Sequence, residues 1–253
     1  MRLGTVTYNL AQSWDLDTLI SMCQRTGFEA VELRTTHAHG VEPSLTVAQR
    51  ADVKAKFAGS GVMFWGLGSV CEYHSPDPAE LQRNIALTAD FVKLAYDCGA
   101  MGVKVRPNGF ATDAGVSEEQ TLEQIGRGLL ECGKQAEPYG MELWLEVHGP
   151  GTSHPPHIKT IMDIADHPLV KVCWNCNGAD IKDGSIAEYF RPLAPRVRAC
   201  HIHDLYEDYP YRELIALLKE YGCDGCCLTE LPESAEPERF MKTYALLWKE
   251  WAK

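Results

Sequence analysis

Short apolar runs alternate along this chain with stretches whose apolar residues recur every three or four positions. The runs fall at roughly residues 2–8, 28–34, 62–69, 102–106, 141–148, 170–175, 197–203 and 225–230, and each has the length of a buried strand. The intervening stretches read as helices. Leu16, Leu19, Ile20 and Cys23 share one face after Asp15, a plausible N-cap, and the segment from Pro78 to Cys98 stops at Gly99, where a C′ glycine belongs. Residues 117–137, 155–166, 183–191, 210–221 and 236–252 have the same spacing.

Strands that alternate with helices form βαβ units, and such units form a parallel sheet. Repeated eight times over 253 residues without a linker or composition break, they predict one α/β domain spanning 1–253, a single (β/α)8 TIM barrel. A doubly wound sheet is the other topology with this order, but no Gly-x-Gly-x-x-Gly follows the first strand.

The barrel reading directs attention to the strand C-termini, where such folds place their chemistry. Glu146 closes Met141–Glu146, Asn175 closes Val170–Asn175, His201 and His203 close the seventh run, and Glu230 closes the eighth. Successive strand side chains point to opposite faces, so Glu146 with His148, Asn175 with Asn177, and His201 with His203 form same-face pairs. Buried carboxylates need a cation or a metal. Two carboxylates, an amide and imidazoles converging on one rim outline a divalent metal site, and the carboxylates make an acid/base pair across a bound carbon centre. An amide brings no charge, so Asn175 predicts a weaker site than a third carboxylate would make, or else a structural role in bonding the strand-end backbone. Arg106, with Lys104 two residues earlier on its face, serves either as the charge partner of Glu146 or as a grip on substrate. His148 suits a substrate hydroxyl or a proton relay. Tyr8, Glu32, His37, Ser69, His74 and Trp174 lie at or just past strand ends and are expected to wall the pocket.

Charge and cysteines narrow the function. A formal charge of −11 opposes binding to a phosphate backbone and leaves small polyols open, so no nucleic-acid partner is expected. There is no long apolar stretch and no signal-like start, so no membrane association is expected and a cytoplasmic location is. The ten cysteines fit a reduced protein. Cys173-x-x-Cys176 and Cys223-x-x-Cys226 have metal or redox spacing, but they fall at opposite barrel ends, and Cys173 lies inside a strand rather than at a helix start. His154-Pro-Pro-His157 is read as a loop.

Taken together, Gly27–Arg34, Ala95–Arg106, Leu145–Gly149, Val172–Asn177, His201–Asp204 and Thr229–Glu230 make the chain resemble the sugar phosphate isomerase/epimerase superfamily, the xylose isomerase-like TIM barrels, over essentially its full length. The resemblance implies one divalent metal ion (Mn, Co, Mg or Zn) at the positions of Glu146, Asn175, His201 and Glu230, with Glu146 and Glu230 as acid and base. It also implies a substrate enediolate formed by proton transfer beside a carbonyl, in a ketose 3-epimerase, an aldose–ketose isomerase or a dehydratase. Members usually carry aspartate at the position of Asn175 and often lysine at that of His203. A catalytically silent sugar-binding barrel is the alternative that Asn175 favours. The superfamily's abasic-site endonucleases need more metal ligands and a basic face. Relatives often form homo-oligomers. The loops after the last two strands, Asp204–Pro210 and Leu231–Glu238, are acidic and repel phosphate, so the expected partner is an unphosphorylated sugar or polyol.

Overall fold

A computed structural model describes all residues, Met1–Lys253. Eight parallel strands close into a barrel in sequence order: β1 (Arg2–Val6), β2 (Ala30–Arg34), β3 (Met63–Glu72), β4 (Gly102–Arg106), β5 (Glu142–Glu146), β6 (Val170–Asn175), β7 (Val197–Ile202) and β8 (Cys226–Thr229), with β8 pairing back onto β1. The helices between them are α1 (Leu16–Thr26), α2 (Val47–Ala58), α3 (Pro78–Cys98), α4 (Glu118–Ala136), α5 (Pro155–Ala165), α6 (Ala187–Phe190), α7 (Tyr211–Glu220) and α8 (Pro237–Trp251). This is the (β/α)8 barrel that the alternation predicts.

The caps sit where the sequence places them. The Asp15 side chain accepts the Thr18 N–H at the start of α1, and Gly99 ends α3 in the left-handed conformation at φ 80°. Three local expectations change. Helix α2 carries almost no apolar stripe, burying only Val53 and Phe57, so hydrophobic spacing does not single it out; its Thr46–Gln49 capping box is the signal that marks it. Helix α6 is a single turn, Ala187–Phe190, rather than a helix over 183–191, because Lys182–Ser185 form a tight turn ahead of it. His154-Pro-Pro-His157 is a helix start rather than a loop: Pro155 and Pro156 take the first helical positions of α5, where no N–H partner is needed, and His154 is its N-cap.

Two apolar layers result. The larger lies between barrel and helices. The smaller fills the barrel interior with Val6, Ala30, Trp65, Trp144, Cys173, Ala199, Cys226 and Leu228. Trp65 and Trp144 stack there, centroids 5.0 Å apart and planes within 13°. Gly66 and Gly102 make the room, since a Cβ at either would come within 2.3 and 2.7 Å of the Trp144 ring. Below the stack, the Glu142 carboxylate accepts from Trp144 Nε1 at 2.8 Å and from Arg198 Nε at 3.0 Å, and the Arg198 guanidinium lies over the Trp65 ring. The lower end of the lumen is therefore a plugged floor.

Candidate active site

Strand alternation carries the lumen directly from floor to site. Two residues beyond inward-facing Ala30, Trp144, Cys173, Ala199 and Leu228 come Glu32, Glu146, Asn175, His201 and Glu230. Two beyond Gly102, whose missing Cβ faces Trp144, comes Lys104. A ring of ionisable and amide groups thus replaces apolar ones at a single step along the strands.

The ring is tightly connected. Glu146 Oε1 accepts from Asn175 Nδ2 at 3.0 Å and lies 3.1 Å from His201 Nδ1, while its Oε2 accepts from Lys104 Nζ at 2.8 Å. His201 Nδ1 is also 3.6 Å from Glu230 Oε1, and its Nε2 is 3.2 Å from Glu32 Oε2. Glu32 and His201 are fully buried, and Lys104, Glu146 and Asn175 nearly so. Ligand atoms of Glu146, His201 and Glu230 lie within 4.8 Å of one another, and the Asn175 Oδ1 is buried without a partner. Two carboxylates, an imidazole and an unsatisfied amide oxygen suit a divalent cation.

The electrostatics follow from these contacts. Burial opposes ionisation of Glu146, but Lys104 and His201 outweigh it and hold the carboxyl well below its usual range. Glu230 is lowered in the same way, burial opposing and His201 and His203 prevailing. Burial also opposes the charge on His201, yet Cys173, Glu32 and Glu230 raise it well above the ordinary imidazole value. Lys104 stays cationic despite burial because Glu146 and Glu32 face it. His148 is lowered by burial first, with Lys104 and Arg106 adding to the effect against Glu146, and its Nδ1 is buried with no partner.

The other residues expected at the pocket divide into groups. On the β1–β2 side, His37 Nδ1 lies 3.0 Å from Thr7 Oγ1, and Arg34 reaches both His37 Nε2 at 3.3 Å and the half-exposed Tyr8 ring. On the β3–β4 side, Arg106 pairs with Glu72 rather than Glu146, and His74 Nδ1 is 3.9 Å from the same carboxylate. His203 stands above Glu230, its Nε2 3.8 Å from Glu230 Oε2 and its Nδ1 3.7 Å from Glu207 Oε2. Ser69 is buried with its hydroxyl donating to the Lys104 carbonyl at 2.7 Å, bracing β3 against β4. Trp174 faces the helices: its indole packs edge-on against Phe190 and donates to Tyr209 Oη at 3.0 Å. Glu32 lies inside the ring rather than along the wall.

Sequence reasoning set Arg106 against Glu146 and noted Lys104 only as its neighbour on the same face, although the alternation Gly102-Val-Lys104 places Lys104 one layer deeper, level with Trp144 in the β4–β5 register. Asp180 was missed as well. It is fully buried just after β6, accepting from Asn177 N–H at 2.8 Å and Tyr209 Oη at 3.0 Å, and burial pushes its carboxyl up to about 7. No sequence spacing announces it.

A sequence model of the family described as "Xylose isomerase-like TIM barrel" matches residues 20–249. No curated protein matches the chain in sequence. Among solved structures, a D-psicose 3-epimerase from Clostridium cellulolyticum H10, determined with D-tagatose, is 17% identical and superposes with a TM-score of 0.84 over 100% of this chain and 99% of its own. The IolI protein with a bound zinc atom is 17% identical at 0.77, covering 99% and 96%. The probable 3-DHS dehydratase AsbF of Bacillus anthracis is 16% identical at 0.73, covering 98% and 99%. At these identities the likeness is one of fold.

Proposed function

Since the chain belongs to the xylose isomerase-like TIM-barrel family, we propose that it is a metal-dependent sugar or polyol isomerase or epimerase, moving a proton beside a carbonyl through an enediolate. The observation that carries this reading is the pair of ionised carboxylates, Glu146 and Glu230, both beside Nδ1 of one buried imidazole at the open end of a plugged lumen. Two bases facing one bound carbon can remove a proton from one side and return it from the other.

Glu146, Asn175, His201 and Glu230 are the residues that would hold one divalent ion, Mn, Co, Mg or Zn. Bound there, it would supply a Lewis acid toward the substrate carbonyl and adjacent hydroxyl. The chain's own groups do the rest. Lys104 keeps Glu146 ionised and fixes its Oε2, while Oε1 faces Asn175 Nδ2 and His201 Nδ1. His203 plays the matching part for Glu230. Neutral His148, with its unpartnered Nδ1, is placed to bond a substrate hydroxyl, and the unpartnered Nε of Arg106 can do likewise. The indole floor excludes water from below. Return of the proton to the opposite face of the same carbon inverts it, and return to the neighbouring carbon isomerises. Loss of a β-hydroxyl would make the enzyme a dehydratase. Neighbours of the fold crystallised with the free sugars D-tagatose and D-fructose support an unphosphorylated substrate, as do the acidic residues Asp204, Glu207, Asp208 and Glu233 in the mouth loops.

The test is to load the protein with Mn²⁺ or Co²⁺, incubate it with ketohexoses in D₂O, and follow deuterium at C3 by NMR. Deuterium incorporation that is lost in Glu146→Gln and Glu230→Gln is expected. Stoichiometric metal without exchange in any ketose or aldose would overturn the reading. The hydrogen bond from Asn175 Nδ2 to Glu146 Oε1 favours a second reading, a silent sugar-binding barrel in which an amide ties up the carboxylate. That barrel would gain thermal stability from sugar with no metal requirement.

A further inference from the structure

Glu32 is a fully buried acid that neither proton transfer nor substrate contact uses. It is fully buried on β2, inside the lumen, with the ring of Glu146, Asn175 and Glu230 on the far side of His201. Only one of its oxygens is engaged. Oε2 lies 3.2 Å from His201 Nε2, while Oε1 is buried with no partner. The space it occupies is provided for: a Cβ on Gly68 of β3 would lie 2.8 Å from Glu32 Oε1 and 3.2 Å from the Arg34 Cα. The one hydrogen bond of Glu32 is to His201, and the charge interaction it shares with Lys104 does not need that direction.

We propose that Glu32 is a positioning residue that selects the metal-binding nitrogen of His201. The inference rests on the metal-site reading above. A carboxylate only accepts hydrogen bonds, so the nitrogen facing Glu32 must carry a proton. That nitrogen is Nε2. Nδ1, which lies 3.1 Å from Glu146 Oε1 and 3.6 Å from Glu230 Oε1, also carries a proton between carboxylates in the metal-free protein. A cation shared with Glu146 and Glu230 would take that proton's place, whereas Nε2 keeps its own against Glu32. With Glu32 neutral or absent, the ring can carry its proton on either nitrogen, and the tautomer with Nδ1 protonated binds no metal at the cluster. The bond also fixes the ring plane and makes Nδ1 a stronger donor, the usual contribution of a carboxylate behind a metal-bound histidine. Glu32 therefore does not contact sugar, and its loss acts on metal binding before it acts on turnover.

The probe is Zn²⁺ alone, which is diamagnetic and needs no substrate. In ¹⁵N-histidine-labelled wild type loaded with Zn²⁺, long-range ¹H–¹⁵N spectra should show His201 with Nε2 protonated and Nδ1 at a metal-bound shift. In Glu32→Gln, competition with a chromophoric chelator should give Zn²⁺ binding weakened about 10- to 100-fold, the range typical for loss of such a partner. A purely structural role would lower the melting temperature in chelator and leave the Zn²⁺ affinity of the folded protein unchanged. An unchanged affinity in folded Glu32→Gln, or a wild type with Nε2 on the metal, overturns the proposal and leaves the proposed function standing. If Glu32→Gln does not fold, the wild-type tautomer decides alone. Wild type that takes up no Zn²⁺ overturns both.

Discussion

Lys104 Nζ lies 2.8 Å from Glu146 Oε2, and both side chains are almost wholly buried. The ion pair holds in place the carboxylate on which the rest of the ring depends. Removing one partner of a buried pair leaves an uncompensated charge, at a cost of about 3–5 kcal/mol. Lys104→Met should lower the unfolding free energy by about that amount in urea titrations at pH 7. Double replacement, Lys104→Met with Glu146→Gln, should recover part of the loss. If Lys104→Met melts like the wild type, the pair does not hold the ring.

Asn175→Asp separates the two faces of the cluster. The new carboxylate would sit about 3 Å from Glu146 Oε1, where the amide now donates. Repulsion should lower the melting temperature in chelator, whereas affinity for Mn²⁺ should rise at least tenfold because a charged ligand replaces a neutral one. Opposite signs in the two measurements are the expected outcome. A parallel fall in both would show that Asn175 faces away from the cation.

The pH profile of the metal-free protein follows from the shifts. Glu146 and Glu230 are lowered, so their stabilisation is complete above the ordinary carboxylate value of 4.5 and is lost as pH falls through the lower folded values. His201 is raised, so its stabilisation is complete below the ordinary imidazole value of 6.5 and is lost as pH rises toward the higher folded one. Melting temperature in chelator should therefore peak between about pH 4.5 and 6.5 and decline on both sides. Added metal should flatten the alkaline limb, since the cation takes the place of the imidazole proton. An alkaline limb insensitive to metal would count against this account.

Asp180 gives a second, independent pH dependence. Its carboxyl is raised from 3.8 to about 7, so ionising it costs stability as pH rises between those values, and the cost is constant above them. Both hydrogen bonds it accepts fall on Oδ2, which an asparagine oxygen can take over. Asp180→Asn should match the wild type near pH 4 and be the more stable protein at pH 8, with the gap opening between, as read from urea midpoints. A constant difference across that range would contradict the assignment.

The fold was legible because each βα unit repeats two periods, and the register of a strand is fixed once one face is apolar. The same alternation exposed Glu146, Asn175, His201 and Glu230, each two residues beyond a luminal apolar side chain. It failed where packing rather than period decides. Trp174 sits beside Asn175 at a strand end, but the residue next to an inward-facing one faces out, so its indole went to the helix layer. The depth of Glu32 depends on what Gly68 leaves open across the strand pair, and the partner of Arg106 depends on the register shift in β3 that brings Glu72 opposite it. The weakly amphipathic α2 was hidden because its exposed Val47 and alanines blur the stripe.

The stacked Trp65 and Trp144, with Glu142 and Arg198 beneath them, leave the ring of acids at the bottom of a cup with a single opening. Under the proposed reaction, a hydrogen lifted from a bound sugar in such a cup would go either to a carboxylate of the ring or to bulk solvent past the substrate itself. The fraction of isotopic label kept in the product, against that washed out, would therefore gauge how completely a given sugar stoppers the mouth.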